Sequence, residues 1–97
     1  MDNPLLGRLR GLDLSDRRLG DAAARLLVSS PFTGQLRDLR LRGCGITDNG
    51  AFRLARAEFA QPLRELDVSH NPISKAGVAA LRQRYGDAVR ASGMEWA

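Results

Sequence analysis

Apolar positions along the chain fall into three near-identical phrases: LRGLDLSDRRLG from Leu9, LRDLRLRGCGIT from Leu36 and LRELDVSHNPIS from Leu63. Their first leucines are 27 residues apart (36 − 9 and 63 − 36). A fixed period in this range is the mark of a solenoid, in which each unit buries its apolar face only against its neighbours. Aligning the units gives inward columns Leu9, Leu36, Leu63, then Leu12, Leu39, Leu66, then Leu14, Leu41, Val68. The last two columns are two positions apart, which is the alternation of a short strand with one buried face. The columns Arg17, Cys44, Asn71 and Leu19, Ile46, Ile73 follow.

The second half of each unit reads as helix. Thr47 and Ser74 are N-cap residue types directly before DNGAFRLARAEF and KAGVAALRQRYG, and Gly20 stands in the equivalent place before DAAARLLVSS. Asp21 and Asp48 fall in the first turn, where a carboxylate meets the positive helix end. Ala24, Ala51, Val78 and Leu27, Leu54, Leu81 lie three apart and share a buried stripe. Ala23, Gly50 and Gly77 are small enough for close backbone packing. Phe32 and Phe59 also align, with Leu5 one period earlier.

The ends differ. NPLLGR (3–8) resembles SPFTGQ (30–35), so the chain opens inside the tail of a unit whose strand and helix are absent. That reads either as the last part of a longer array or as a small protein with an uncapped N-terminal strand edge. At the other end DAVRASGMEW reads as a degenerate fourth strand. Val89 is expected in the first-leucine column, Arg90 beside Arg64, and Met94 and Trp96 over the last turn.

The pattern L-x-x-L-x-L-x-x-(N/C)-x-(L/I) is that of leucine-rich repeats. LRDLRLRGCGITDNGAFRLA and LRELDVSHNPISKAGVAAL resemble repeats of the ribonuclease-inhibitor-like kind, and the ending resembles the last unit of short bacterial arrays. The expected fold is an α/β leucine-rich repeat solenoid of three 27-residue β-α units. Its boundaries are a partial tail 1–8, repeats 9–35, 36–62 and 63–86, and a C-terminal cap 87–97 within one domain. The resemblance implies a right-handed coil with a parallel sheet on the concave side, helices on the convex side, and protein binding. Arg17 departs from the Asn or Cys the family prefers in its column.

Residues between the inward leucines face out of the sheet. Equivalent residues then stack at about 4.8 Å. One column is Arg10, Arg37, Arg64. The next are Gly11, Asp38, Glu65, then Asp13, Arg40, Asp67, then Ser15, Arg42, Ser69. The arginine column sets like charges together, whereas Asp13, Arg40, Asp67 alternate in sign. The candidate partner-binding residues are Arg37, Asp38, Arg40, Arg42, Arg64, Glu65 and Asp67. Guanidinium pairs with carboxylate through two parallel bonds, so the expected partner is a protein, with an acidic segment at the contact. The bland alternative is a solvated face whose charges do little. Self-association through the uncapped edge is a second reading.

Composition narrows the chemistry. Fifteen basic and eleven acidic residues leave a charge of +4, and fourteen of the basic residues are Arg. GC-rich coding accounts for that more readily than a selected arginine surface does. A charge of +4 with five aromatic residues does not make a nucleic-acid platform, so nucleic acid is not expected. No long apolar run is present, so neither a secretory signal nor a membrane span is expected, and the expected location is the cytoplasm. One Cys and one His cannot build a metal cage, and no cofactor motif occurs. Asp67, Ser69 and His70 lie close in sequence but lack the His-centred geometry of a triad. Cys44 reads as a small buried stand-in for the loop Asn. Hydrolase chemistry at Asp67/Ser69/His70 and thiol chemistry at Cys44 are therefore minor alternatives, and no enzyme activity is expected.

Overall fold

The computed structural model describes residues 10–29, 35–57, 63–94 and 96. The expectations placed on Leu9, the tail 1–8, Phe32 and Phe59 lie outside the described residues. In chain order the elements are β1 (Gly11–Asp13), α1 (Asp21–Ser29), β2 (Asp38–Arg40), α2 (Asp48–Ala55), β3 (Glu65–Asp67), α3 (Lys75–Tyr85), a 3-10 turn (Gly86–Ala88) and β4 (Val89–Arg90). The strands form one parallel sheet in the order β1-β2-β3-β4. The architecture is α/β, with β and α elements alternating, as the apolar pattern requires.

Register puts Leu12, Leu39 and Leu66 side by side, and Asp13 beside Arg40 beside Asp67. The backbone ladder continues past the strands, with Leu14 N–H donating to Arg40 O (2.9 Å), Leu41 N–H to Asp67 O (2.8 Å) and Val68 N–H to Arg90 O (2.9 Å). Between sheet and helices lies one core. Leu36, Leu39, Leu41, Leu63, Leu66 and Val68 meet Leu27, Leu54, Val78 and Leu81. Leu12 and Leu14, on the edge strand, are only partly buried, whereas their equivalents in β2 and β3 are fully buried.

The fourth strand departs from expectation. Val89 pairs with Leu66 and so sits in the second leucine column; Arg90 pairs with Asp67 and does not extend the Arg10, Arg37, Arg64 column. The step from Leu66 to Val89 is 23 residues (89 − 66), because α3 runs straight into the 3-10 turn. Gly86 makes that reversal in the left-handed region (φ 61°), donating its N–H to Arg82 O. Met94 is buried against the end of the core, and Trp96 donates its indole N–H to Ile73 O at 2.8 Å.

Helix starts are tied across units. Ser74 caps α3, accepting from Gly77 N–H at 3.3 Å. Thr47 has the extended backbone of an N-cap, but its hydroxyl donates to Asp21 and makes no bond to its own helix. Asp21 Oδ1 takes over the cap, accepting from Thr47 N–H (2.8 Å) and Gly50 N–H (3.2 Å). Asp48 reaches the next unit in the same way, accepting from Ser74 N–H (2.7 Å) and the Ser74 hydroxyl (2.6 Å). The first-turn aspartates thus clasp the following helix, a role beyond the helix-end electrostatics that their position predicts. Lys75 stands where the third Asp of this series would fall, and its ammonium lies 5.9 Å from the Trp96 ring centre. Helix ends are joined too: Tyr85 hydroxyl donates to Leu54 O, and Arg84 donates to Ala57 O at 3.3 Å.

Candidate functional site

The open face of the sheet is built by alternation. Leu39 and Leu66 turn into the core, so Asp38 and Arg40, and Glu65 and Asp67, turn outward. Parallel pairing then makes a four-residue row, Asp13–Arg40–Asp67–Arg90, alternating in sign across all four strands.

The arginines are cross-paired. Arg40 donates to both carboxylate oxygens of Glu65, at 3.4 and 3.1 Å, which holds Arg40 more firmly protonated. Arg90 lies 3.5 Å from Glu65, Arg64 2.7 Å from Asp38, and Arg42 3.9 Å from Asp67. Asp38 and Glu65 therefore do neutralise neighbouring arginines, because each carboxylate reaches an adjacent strand. The arginines remain 50–69% exposed while their carboxylates are 10–29% exposed. At the strand ends, Asp13 accepts from Ser15 N–H (2.9 Å) and Asp67 from Ser69 N–H (3.0 Å). Hydrogen bonds from the Ser15 hydroxyl and N–H, with the charges of Arg40 and Arg42, hold the Asp13 carboxyl below its ordinary value.

A shallow groove of about 510 Å³ runs over this face, lined among the described residues by Arg40, Arg42, Glu65, Asp67, Arg90 and Asp13, with Ser15, Asp16, Gly43 and His70 at its edge. Four of the seven sequence candidates, Arg40, Arg42, Glu65 and Asp67, come together there. Arg37, Asp38 and Arg64 do not line it; Arg37 is half-buried, and Arg64 and Asp38 pair beside it. Arg90 was not among the candidates, because its place depends on the short fourth unit. The signal that could have found it is the local alternation of AVRAS, which sets Val89 inward and Arg90 outward.

The residues considered for chemistry have structural partners. Ser69 is buried, and its hydroxyl accepts from Ser92 N–H (2.9 Å) and lies 3.1 Å from the Ser92 hydroxyl. His70 is exposed in a left-handed turn (φ 60°), its ring lying over Gly93, where a Cβ would collide with it. Cys44 is buried, and its thiol donates to Leu14 O at 3.0 Å. Burial pushes the thiol pKa up, away from reactive thiolate. Among the described residues no cluster of His, Cys, Asp or Glu could hold a metal ion, and no helix is long and apolar enough to cross a membrane.

Short parallel strands alternating with helices, with the loops after β2 and β3 tied down by buried Cys44 and Asn71, define a repeat architecture with a polar open sheet face. The family model described as Leucine Rich repeat matches residues 36–55 and 60–81. These two stretches carry leucine-rich repeats. Such repeats generally mediate protein–protein interaction and are non-enzymatic. No curated protein matches the chain.

Proposed function

We propose that the chain is a cytoplasmic, non-enzymatic protein-interaction module of the ribonuclease-inhibitor-like kind, a right-handed solenoid that receives an acidic partner segment across the open sheet face. Arg40, Arg42, Glu65 and Asp67 form the centre, Arg90 extends it, and Arg37, Asp38 and Arg64 flank it. The observation that carries this reading is the exposure of the paired arginines. Ion pairs at that exposure contribute little, so a partner carboxylate can displace Glu65 or Asp67 from Arg40, Arg42 or Arg90. The partner's own apolar contacts then decide affinity, and the charges set register and encounter rate.

Reversing two charges, Arg40→Glu with Arg42→Glu, should weaken binding to a partner recovered by cross-linking from Ser15 by about tenfold or more, measured by titration calorimetry. Both side chains are exposed, so folding should be kept. Unchanged affinity would remove this face from the reading.

The module acts as single copies. Stacking one copy on the β1 edge of another would need the aspartate clasp, and both halves are missing. Lys75 stands in the place of the accepting carboxylate, and Gly20 and Ala23 replace the donating hydroxyl and the glycine that meet it elsewhere. Light scattering on a sizing column should therefore give a steady mass near 10.6 kDa as concentration rises. A mass that climbs with concentration would favour edge-to-edge assembly instead.

A further inference from the structure

All four ion pairs among the described residues lie on the sheet face. The helix layer is different. Its carboxylates Asp21 and Asp48 are taken up by the clasps, while Arg53, Arg56, Arg82 and Arg84 have no carboxylate partner among the described residues. Among the described residues the helices and their ends thus carry six basic side chains, Arg25, Arg53, Arg56, Lys75, Arg82 and Arg84, against the two aspartates. The same layer exposes large apolar side chains: Leu26 is 64% exposed, Val28 39% and Phe52 38%.

Between α2 and α3 lies a groove of about 540 Å³, lined among the described residues by Phe52, Ala55, Ala80 and Gln83, with Arg56 and Arg84 at its rim. Two alanines leave room below the level of Phe52. A second groove, between α1 and α2, is lined by Val28, Arg53, Arg56 and Ala57, so Arg56 borders both. Neighbouring packed helices lie about 8–10 Å apart. Seven residues of an α-helix span about 10.5 Å, so one crossing helix can set an apolar side chain in the Phe52 groove and a carboxylate at the Arg53 and Arg56 groove.

We propose that this helix face is a second docking surface, and that its occupant is an acidic amphipathic helix of a partner protein. Its apolar stripe would fill the groove between α2 and α3, with flanking carboxylates meeting Arg53, Arg56 and Arg84. A second copy of this chain does not fit, because its helix layer carries the same positive charge. An anionic bilayer matches the charge but offers nothing that enters a recessed groove.

The test uses a fluorescent peptide of about 18 residues with Leu at i, i+3, i+4 and i+7 and Glu elsewhere. Its controls are a Lys twin and vesicles of phosphatidylserine and phosphatidylcholine. The expected result is saturable binding of the Glu peptide, with amide shifts at Phe52, Ala55, Ala80 and Gln83. Affinity should fall by about tenfold or more in Arg53→Glu with Arg56→Glu, and also fall as salt is raised. Circular dichroism checks that this variant is folded. The sheet-face variant Arg40→Glu with Arg42→Glu should bind the peptide as before, which separates the outcome from the fate of the sheet-face proposal. Equal binding of the Lys twin, shifts confined to the sheet face, binding to vesicles without the peptide, or no binding at all would each overturn the proposal.

Discussion

Replacing Asn71 by alanine should remove about 4 kcal/mol of stability, measured as a lower urea midpoint with unchanged slope. Asn71 is buried and uses its whole amide. Its Oδ1 accepts from Cys44 N–H (2.9 Å) and Ile46 N–H (3.0 Å), and its Nδ2 donates to Leu41 O (2.7 Å), Val68 O (2.9 Å) and Ser69 O (3.2 Å). Truncation strands two buried N–H groups, at about 1–3 kcal/mol each. A chain of this size has a total of about 5–15 kcal/mol, so the loss would remove a large share of its stability. Asn71→Cys should be milder, since a thiol there can donate to Leu41 O as Cys44 does to Leu14 O. If Asn71→Ala lost less than about 1 kcal/mol, the loop would be held by something other than this amide.

Gly77→Ala is the second large effect, with a loss of about 2 kcal/mol expected as a fall of roughly 8–16 °C in melting temperature. Elsewhere in a helix, exchanging glycine for alanine gains about 0.5–1 kcal/mol. Here the added Cβ would sit 2.5 Å from Ile73 Cγ2 and 2.6 Å from Asp48 Oδ1, so the core side chain and the clasp must both give way. Pairing the change with Asp48→Ala relieves one collision, and the double variant should be less destabilised than the sum of the two. Gly50 meets Asp21 and Ile46 in the same manner. The Asp21 clasp also predicts a pH dependence. Burial raises its carboxyl pKa, but bonds from Thr47 and Gly50, with the Arg25 charge, outweigh that and bring it below the ordinary value. Its stabilisation is then complete above the unfolded value of about 4 and is lost as pH falls through the lower folded value. Asp21→Asn should flatten that acid limb of the stability curve; an unaltered limb would count against the clasp.

The repeated phrases made most of the fold legible. Inward leucines two apart, small residues at the helix contact and Asp in the first turns of α1 and α2 are local rules, and each is satisfied within one unit and its immediate neighbour. The open-face row Asp13, Arg40, Asp67 followed from the same arithmetic, since in-register parallel strands bring equivalent residues side by side. Tertiary structure decided where the period breaks and where side chains cross between units. Val89 lands beside Leu66 because α3 runs directly into a 3-10 turn at Gly86, a shortening that a fixed repeat length cannot express. Thr47 caps nothing in its own helix because the carboxylate of the preceding unit reaches it first. Arg40 turns to Glu65 on the next strand, a choice of partner set by the distance between strands and by how far each long side chain can reach. Sequence periodicity dictated which residues stand in line; the spacing of the stacked backbones determined which of them touch.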